Sequence, residues 1–147
     1  MSGSGADILL VEDNRDDEEL ALRALKHHNI SDDVVVVRDG VQALDYLFAR
    51  GDYGERDSHR APKIVLLDLK LPRVDGHEVL KAMRADERTR HVPVVILTSS
   101  CEQKDIIDSY QHGANSYIRK PVNYSQFVDA VDQIGNYWLG LNEVPLH

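Results

Sequence analysis

Lys63-Ile64-Val65-Leu66-Leu67-Asp68-Leu69-Lys70-Leu71-Pro72 decides how this chain is read, because an uninterrupted apolar run ends there on a carboxylate. Four consecutive apolar residues suit a strand buried on both faces, as in a parallel sheet covered by helices. A charge placed where such a strand runs out is poised for chemistry, since open parallel α/β sheets bind ligands outside the carboxyl ends of their strands. Two other runs end in the same manner: Ile8-Leu9-Leu10-Val11 on Glu12-Asp13, and Val94-Val95-Ile96-Leu97 on Thr98-Ser99. The three strand ends are expected to converge on one polar pocket.

Working outward, short β-branched runs alternate with helical-period segments from Asp7 onward, the pattern of βα units. Strands are predicted near residues 7–12, 33–38, 63–68, 92–98 and 115–119, and helices near 15–28, 39–50, 75–85, 102–112 and 123–139. In the last helix Phe127, Ala130, Val131 and Ile134 recur at i, i+3, i+4 and i+7, a face suited to packing on a sheet. The predicted class is α/β: a doubly wound, five-stranded parallel sheet with helices on both faces. Gly51 to Pro62 is polar and without apolar period, and is read as an exposed loop, a tolerated surface insertion, with a partner contact as the alternative.

At 147 residues the chain fits one domain with one core. Residues 1–5 are expected to be a flexible tail or cloning remnant, 6–139 the folded domain and 140–147 a C-terminal extension. A composition of 42% hydrophobic and 29% charged residues is that of a soluble globular protein. No apolar run approaches the roughly 20 residues of a membrane helix, and no secretory signal is seen, so no membrane partner is expected. A net charge of -8 argues against a nucleic-acid surface, which needs Lys and Arg to displace counterions. The single cysteine, Cys101, excludes an intrachain disulfide and points to a reducing, cytoplasmic setting.

Glu12, Asp13 and Asp68 at adjacent strand ends would repel one another strongly without a cation, and hard oxygen ligands suit Mg²⁺. Taken alone, the first pair has another use, because Asp13 or Asn14 could cap the helix beginning near Arg15. After the third strand, Pro72 and Gly76 mark a tight turn, and Asp75 is placed to cap the helix that follows.

Glu12-Asp13, Asp68, Thr98 and Lys120-Pro121, in that order and at those strand ends, resemble the receiver domain of two-component response regulators. The resemblance covers essentially residues 7–139 and implies a flavodoxin-like (βα)5 fold. It implies that Asp68 accepts a phosphoryl group from a sensor histidine kinase in a reaction that depends on Mg²⁺ or Mn²⁺. Asp13 and Asp68 would hold the metal directly, Glu12 through water, and the backbone carbonyl of Lys70 would complete the protein ligands. Lys120 and Thr98 would stabilise the phosphoryl group, Thr98 and Tyr117 would form the switch, and Pro72, Gly76 and Pro121 would shape turns. The Lys120-Pro121 bond would be cis. Phosphoryl transfer spreads charge over three equatorial oxygens, so positioning and cations are what the protein must supply. The readout would pass to the fourth helix, fifth strand and fifth helix.

Finer features are Val11-Glu12-Asp13-Asn14, Arg38-Asp39-Gly40, the polar insertion, Leu69-Lys70-Leu71-Pro72-Arg73 and Lys120-Pro121-Val122. Together they resemble the stand-alone response regulators found with bacterial phytochromes. That likeness implies a phytochrome-type kinase as partner and a homodimer, often through the fourth-helix to fifth-helix face. The end around Tyr137-Trp138-Leu139 would pack on its own subunit or reach a partner as a dimer arm. With no output domain expected after the last helix, the signal would leave through protein contacts. No enzymatic activity is expected beyond self-phosphorylation from small donors and autodephosphorylation. Lys70 departs from many relatives, and is expected to alter phosphoryl lifetime by crowding or assisting the attacking water.

Three other readings compete with this one. A flavodoxin-like cofactor carrier needs a glycine- and hydroxyl-rich phosphate loop where Glu12-Asp13-Asn14-Arg15-Asp16-Asp17 stands. A haloacid-dehalogenase-type phosphatase needs a second Asp where Lys70 stands. A phosphorylation-independent scaffold or dimerisation module with a receiver-like fold is the remaining alternative, and its expected mark is a missing acid, Thr or Lys.

Overall fold

The computed structural model describes residues 8–27, 34–57, 61–99, 102–120, 123, 125–126 and 128–130. In chain order the elements are β1 (Ile8–Val11), α1 (Arg15–His27), β2 (Val34–Val37), α2 (Gly40–Leu47), β3 (Ile64–Leu67), α3 (Gly76–Ala85), β4 (Val94–Thr98), α4 (Gln103–Gln111) and β5 (Ser116–Arg119). Residues 125–126 and 128–130 are helical too, inside the predicted fifth helix. Most of that helix, with Phe127, Val131 and Ile134 of its apolar face, lies outside the described residues, as do residues 1–5, Pro121, Trp138 and the 140–147 extension.

All five strands pair in parallel in the order β2-β1-β3-β4-β5. The chain winds from β1 outward to β2, then returns past β1 to build β3, β4 and β5. That reversal opens a crevice between β1 and β3, where doubly wound sheets take their ligands. Successive residues of a strand point to opposite faces, and the core divides accordingly. Leu9, Val11, Val65, Leu67 and Ile96 pack with Ala43, Leu47, Val79, Leu80 and Met83 of α2 and α3. Ile8, Leu10, Ile64, Leu66, Val95 and Leu97 pack with Ala21, Ala24 and Leu25 of α1, and Val128 joins them at the margin. The fully buried runs are the central strands β1, β3 and β4, whereas β2 and β5, at the edges, are only partly covered.

The helix starts follow the short polar residues before them. Asp39 Oδ1 accepts from Gln42 N at 2.8 Å, Asp75 Oδ1 from Glu78 N at 3.1 Å, and Asn14 Oδ1 from Asp17 N at 3.0 Å. Of the two candidates for capping α1, Asn14 does it. α4 begins without a side-chain cap.

Two expectations change. α2 stops at Leu47 rather than near residue 50, because Arg50 N donates to Asp45 O and Ala49 N to Tyr46 O, the paired bonds of a Schellman stop, with Ala49 at φ 53. The polar insertion is not wholly loose. Gly51–Tyr53 forms a 3-10 turn, the Tyr53 ring meets Tyr46 edge-on at 5.1 Å, and the Arg56 guanidinium sits 4.0 Å from the Tyr46 ring centre. Arg56 Nη1 also donates to Tyr46 O at 2.7 Å, so the segment docks on α2. Residues 58–60 of the insertion lie outside the described residues. Among the described residues no helix is long and apolar enough to cross a membrane.

Candidate functional site

β1 and β3 run in register, Val11 opposite Leu67, so the next residues, Glu12 and Asp68, leave the sheet side by side. The ladder continues past both: Glu12 N donates to Val37 O at 3.0 Å and Asp68 N to Val11 O at 3.1 Å. Glu12 and Asp68 are buried and Asp13 is exposed at the rim. One carboxylate oxygen from each of the three lies within 4.8 Å of the others.

Lys120 follows β5 and is held there by its backbone, whose N–H donates to Thr98 O at 2.7 Å. Its ammonium reaches into the acid group, at 2.8 Å from Glu12 Oε1, 2.7 Å from Asp17 Oδ2 and 3.4 Å from Asp68 Oδ2. Burial works against the Lys120 charge, but the hydrogen bonds to Asp17 and Glu12 outweigh it and push the ammonium up to about 12. Burial pushes the Glu12 carboxyl up to about 7, against the pull of Lys120 and with the help of Asp68. Glu12, Asp17 and Asp68 share the Lys120 ammonium, Asp13 stands beside them, and four carboxylates around one lysine leave the pocket short of positive charge. A small divalent cation with oxygen ligands answers that shortage, and the donors present fit one.

Thr98 is buried at the end of β4, and Tyr117 of β5, opposite Ile96, is half-buried against the α2–α3 side of the core. The β3–α3 loop is fixed from several directions. Gly76 N donates to Leu69 O at 3.0 Å and Gly40 N to Pro72 O at 3.5 Å, while Arg73 Nη1 stands 3.3 Å from Asp39 Oδ2. Gly76 is needed for close approach, because a Cβ there would lie 2.3 Å from the carbonyl oxygen of Asp68. The residue in this turn with left-handed backbone is Arg73, at φ 70, rather than a glycine.

Lys70 bends back on Asp68 through its backbone, the N–H donating to Asp68 Oδ1 at 3.1 Å, while its ammonium pairs with Asp105 Oδ2 of α4 at 3.6 Å. Sequence reasoning missed Asp105 and Asp17. Asp17 stands 103 residues from Lys120 in the chain, and as a first-turn acid of α1 it looks like an ordinary dipole partner.

A doubly wound sheet with a buried aspartate, a lysine and an acid cluster at its switch point is the architecture of a receiver domain. Residues 8–132 match the family described as response regulator receiver domain, and the chain belongs to that family. Among curated relatives, the probable methanogenesis regulatory protein FilR2 of Methanothrix harundinacea is 42% identical, the match covering 94% of this chain and 86% of that protein. Response regulator Rcp1 of Synechocystis is 36% identical over 94% of this chain and 92% of its own, and its Mn²⁺-bound crystal structure superposes with a TM-score of 0.82. The phosphorylated cyanobacterial phytochrome response regulator RcpA gives a TM-score of 0.85 at 39% identity, covering 96% of this chain and 99% of that one. The bacteriophytochrome response regulator RtBRR is 50% identical with a TM-score of 0.78, covering 96% and 84%. Within the family, the chain's near relatives include stand-alone phytochrome-associated response regulators.

Proposed function

We propose that this protein is a phosphoacceptor whose Asp68 takes a phosphoryl group from a sensor histidine kinase, and that it passes the signal on through protein contacts. The observation that carries the reading is the meeting of Asp68, Glu12, Asp13 and Lys120 at the β1–β3 crevice. Asp13, Asp68, Glu12 and the carbonyl of Lys70 would hold Mg²⁺ or Mn²⁺, and the bound ion would neutralise charge on the transferring group. A carboxylate oxygen of Asp68 forms the new P–O bond while the bond from phosphorus to the donor's imidazole nitrogen breaks, its electron pair staying on the nitrogen. Lys120, already 3.4 Å from Asp68 Oδ2, supplies a fixed cation for the phosphoryl oxygens. Thr98 at the end of β4 would donate its hydroxyl to the same group, and Tyr117 would follow it as the switch aromatic.

The similarity to RcpA, Rcp1 and RtBRR supports a phytochrome-type kinase as the donor, in the cytoplasm. Ile107 and Tyr110 stand exposed on α4, which supports a second copy of this chain as a binding partner at that face. Intact-protein mass after incubation with acetyl phosphate, with and without Mg²⁺, tests the core of the reading. One phosphoryl group gained only with Mg²⁺, and lost in Asp68→Asn, is the expected result. No gain despite bound Mg²⁺ would overturn it in favour of the phosphorylation-independent scaffold.

A further inference from the structure

We propose that Asp105 tethers α4 to the phosphoacceptor loop through Lys70, and that loading Asp68 draws Lys70 off this tether and loosens the start of α4. The inference rests on the phosphoacceptor reading of Asp68. Lys70 is bound at its two ends to different partners: its N–H to Asp68 Oδ1 at 3.1 Å, and its ammonium to Asp105 Oδ2 at 3.6 Å. One residue thereby links the acceptor carboxylate to a helix whose chain position is far from it.

α4 depends on that link more than its neighbours depend on theirs. α2 and α3 start on capping aspartates, whereas α4 starts at Glu102 with no side-chain cap bond. An uncapped first turn leaves amide donors without intrahelical partners and frays readily. Asp105 lies in that first turn, and it is gripped from outside the helix by Lys70 and by His77 Nε2 of α3 at 3.2 Å. His77 and Asp105 are largely covered, while the Lys70 side chain is 59% exposed, so Lys70 is the grip free to move.

A phosphoryl group provides the competing attraction. Asp105 offers one negative charge, whereas an acylated phosphate brings about 1.5 to 2 with three acceptor oxygens. Lys70 is two residues from the loaded carboxylate on a flexible stem, and Lys120 is already shared among Glu12, Asp17 and Asp68. Transfer of the Lys70 ammonium from Asp105 to a phosphoryl oxygen breaks no covalent bond and moves no proton. It removes one of the grips on Asp105 from outside the helix, and the first turn of α4 opens more often.

Hydrogen exchange over residues 102–111, read by mass spectrometry on the full chain, tests the tether. The parent, Lys70→Met, Asp105→Asn and the double variant are compared before and after loading with acetyl phosphate and Mg²⁺, intact mass reporting the load. Before loading, each single variant is expected to exchange roughly two- to five-fold faster than the parent at the start of α4, the span set by a part-exposed ion pair. The double variant is expected to go no further than Asp105→Asn alone. On loading, the parent is expected to rise to the level of Lys70→Met and the variants to stay where they were. Variants that exchange like the parent overturn the tether. A parent carrying one phosphoryl group with unchanged exchange overturns the switch while leaving the phosphoacceptor reading intact. No mass gain overturns that reading and the loading step with it, whereas the comparison of unloaded variants still decides the tether.

Discussion

The end of β5 and the β3–α3 loop each bring a lysine to the neighbourhood of Asp68, and they do so in opposite ways. Lys120 arrives from an ordered strand, is nearly buried and is shared by three carboxylates. Lys70 arrives from a loop, is mostly exposed and pairs with one aspartate outside the pocket. The same side chain is a fixed counter-charge in one place and a movable one in the other. What separates them is the cost of leaving: a buried ammonium cannot leave without stranding acids, and an exposed one is rehydrated at once.

The largest expected effect breaks the buried half of this comparison. Lys120→Met leaves Glu12 and Asp68 buried without their cation and should cost about 3–5 kcal/mol in metal-free urea unfolding. A loss under about 1 kcal/mol would place Lys120 among surface ion pairs. Next, Mg²⁺ at a hundred times its Kd should stabilise the parent by about 2.7 kcal/mol. Calorimetry should show a larger rise in Tm for Lys120→Met than for the parent, since the variant's acids lack any other cation, and an equal rise would contradict the charge shortage described above. Asp17→Asn removes the shortest contact of Lys120 from a partly exposed partner, and should cost roughly 1 kcal/mol in the same unfolding experiment. Finally, Lys70→Met should change global stability by no more than about 0.5 kcal/mol. A cost comparable to that of Lys120→Met would erase the distinction between the two lysines.

The parts of the molecule legible in the sequence are those where local pattern and tertiary role coincide. Ile8–Val11, Ile64–Leu67 and residues 94–97 are unbroken apolar runs because both faces of each strand are covered, and Glu12, Asp68 and Thr98 stand at their ends because the sheet stops there. Asn14 and Asp75 look like helix caps and are. Asp17 and Asp105 were illegible for the opposite reason. Each sits in the first turn of an amphipathic helix, where an acid needs no special explanation, and its partner is fixed only by the packing of distant elements. The docked insertion shows the same limit, since Tyr53 and Arg56 acquire their meaning from the ring of Tyr46 on the face of α2. Gly76 is singled out in the sequence for a turn. Its actual constraint, the carbonyl of Asp68 just above it, is a contact no local pattern displays.

The alanine that closes α2 carries a practical consequence for anyone wishing to engineer this protein. Ala49 and Arg73 both hold a left-handed backbone without being glycine. Arg73 gains an ion pair with Asp39 from its side chain, whereas the methyl of Ala49 gains nothing comparable and costs roughly 1 kcal/mol over glycine. Ala49→Gly would therefore be expected to raise Tm by roughly 3 °C for a domain of this size. The gain comes from a helix terminus outside the acid pocket, so thermal hardiness can be tuned without touching the residues that line it.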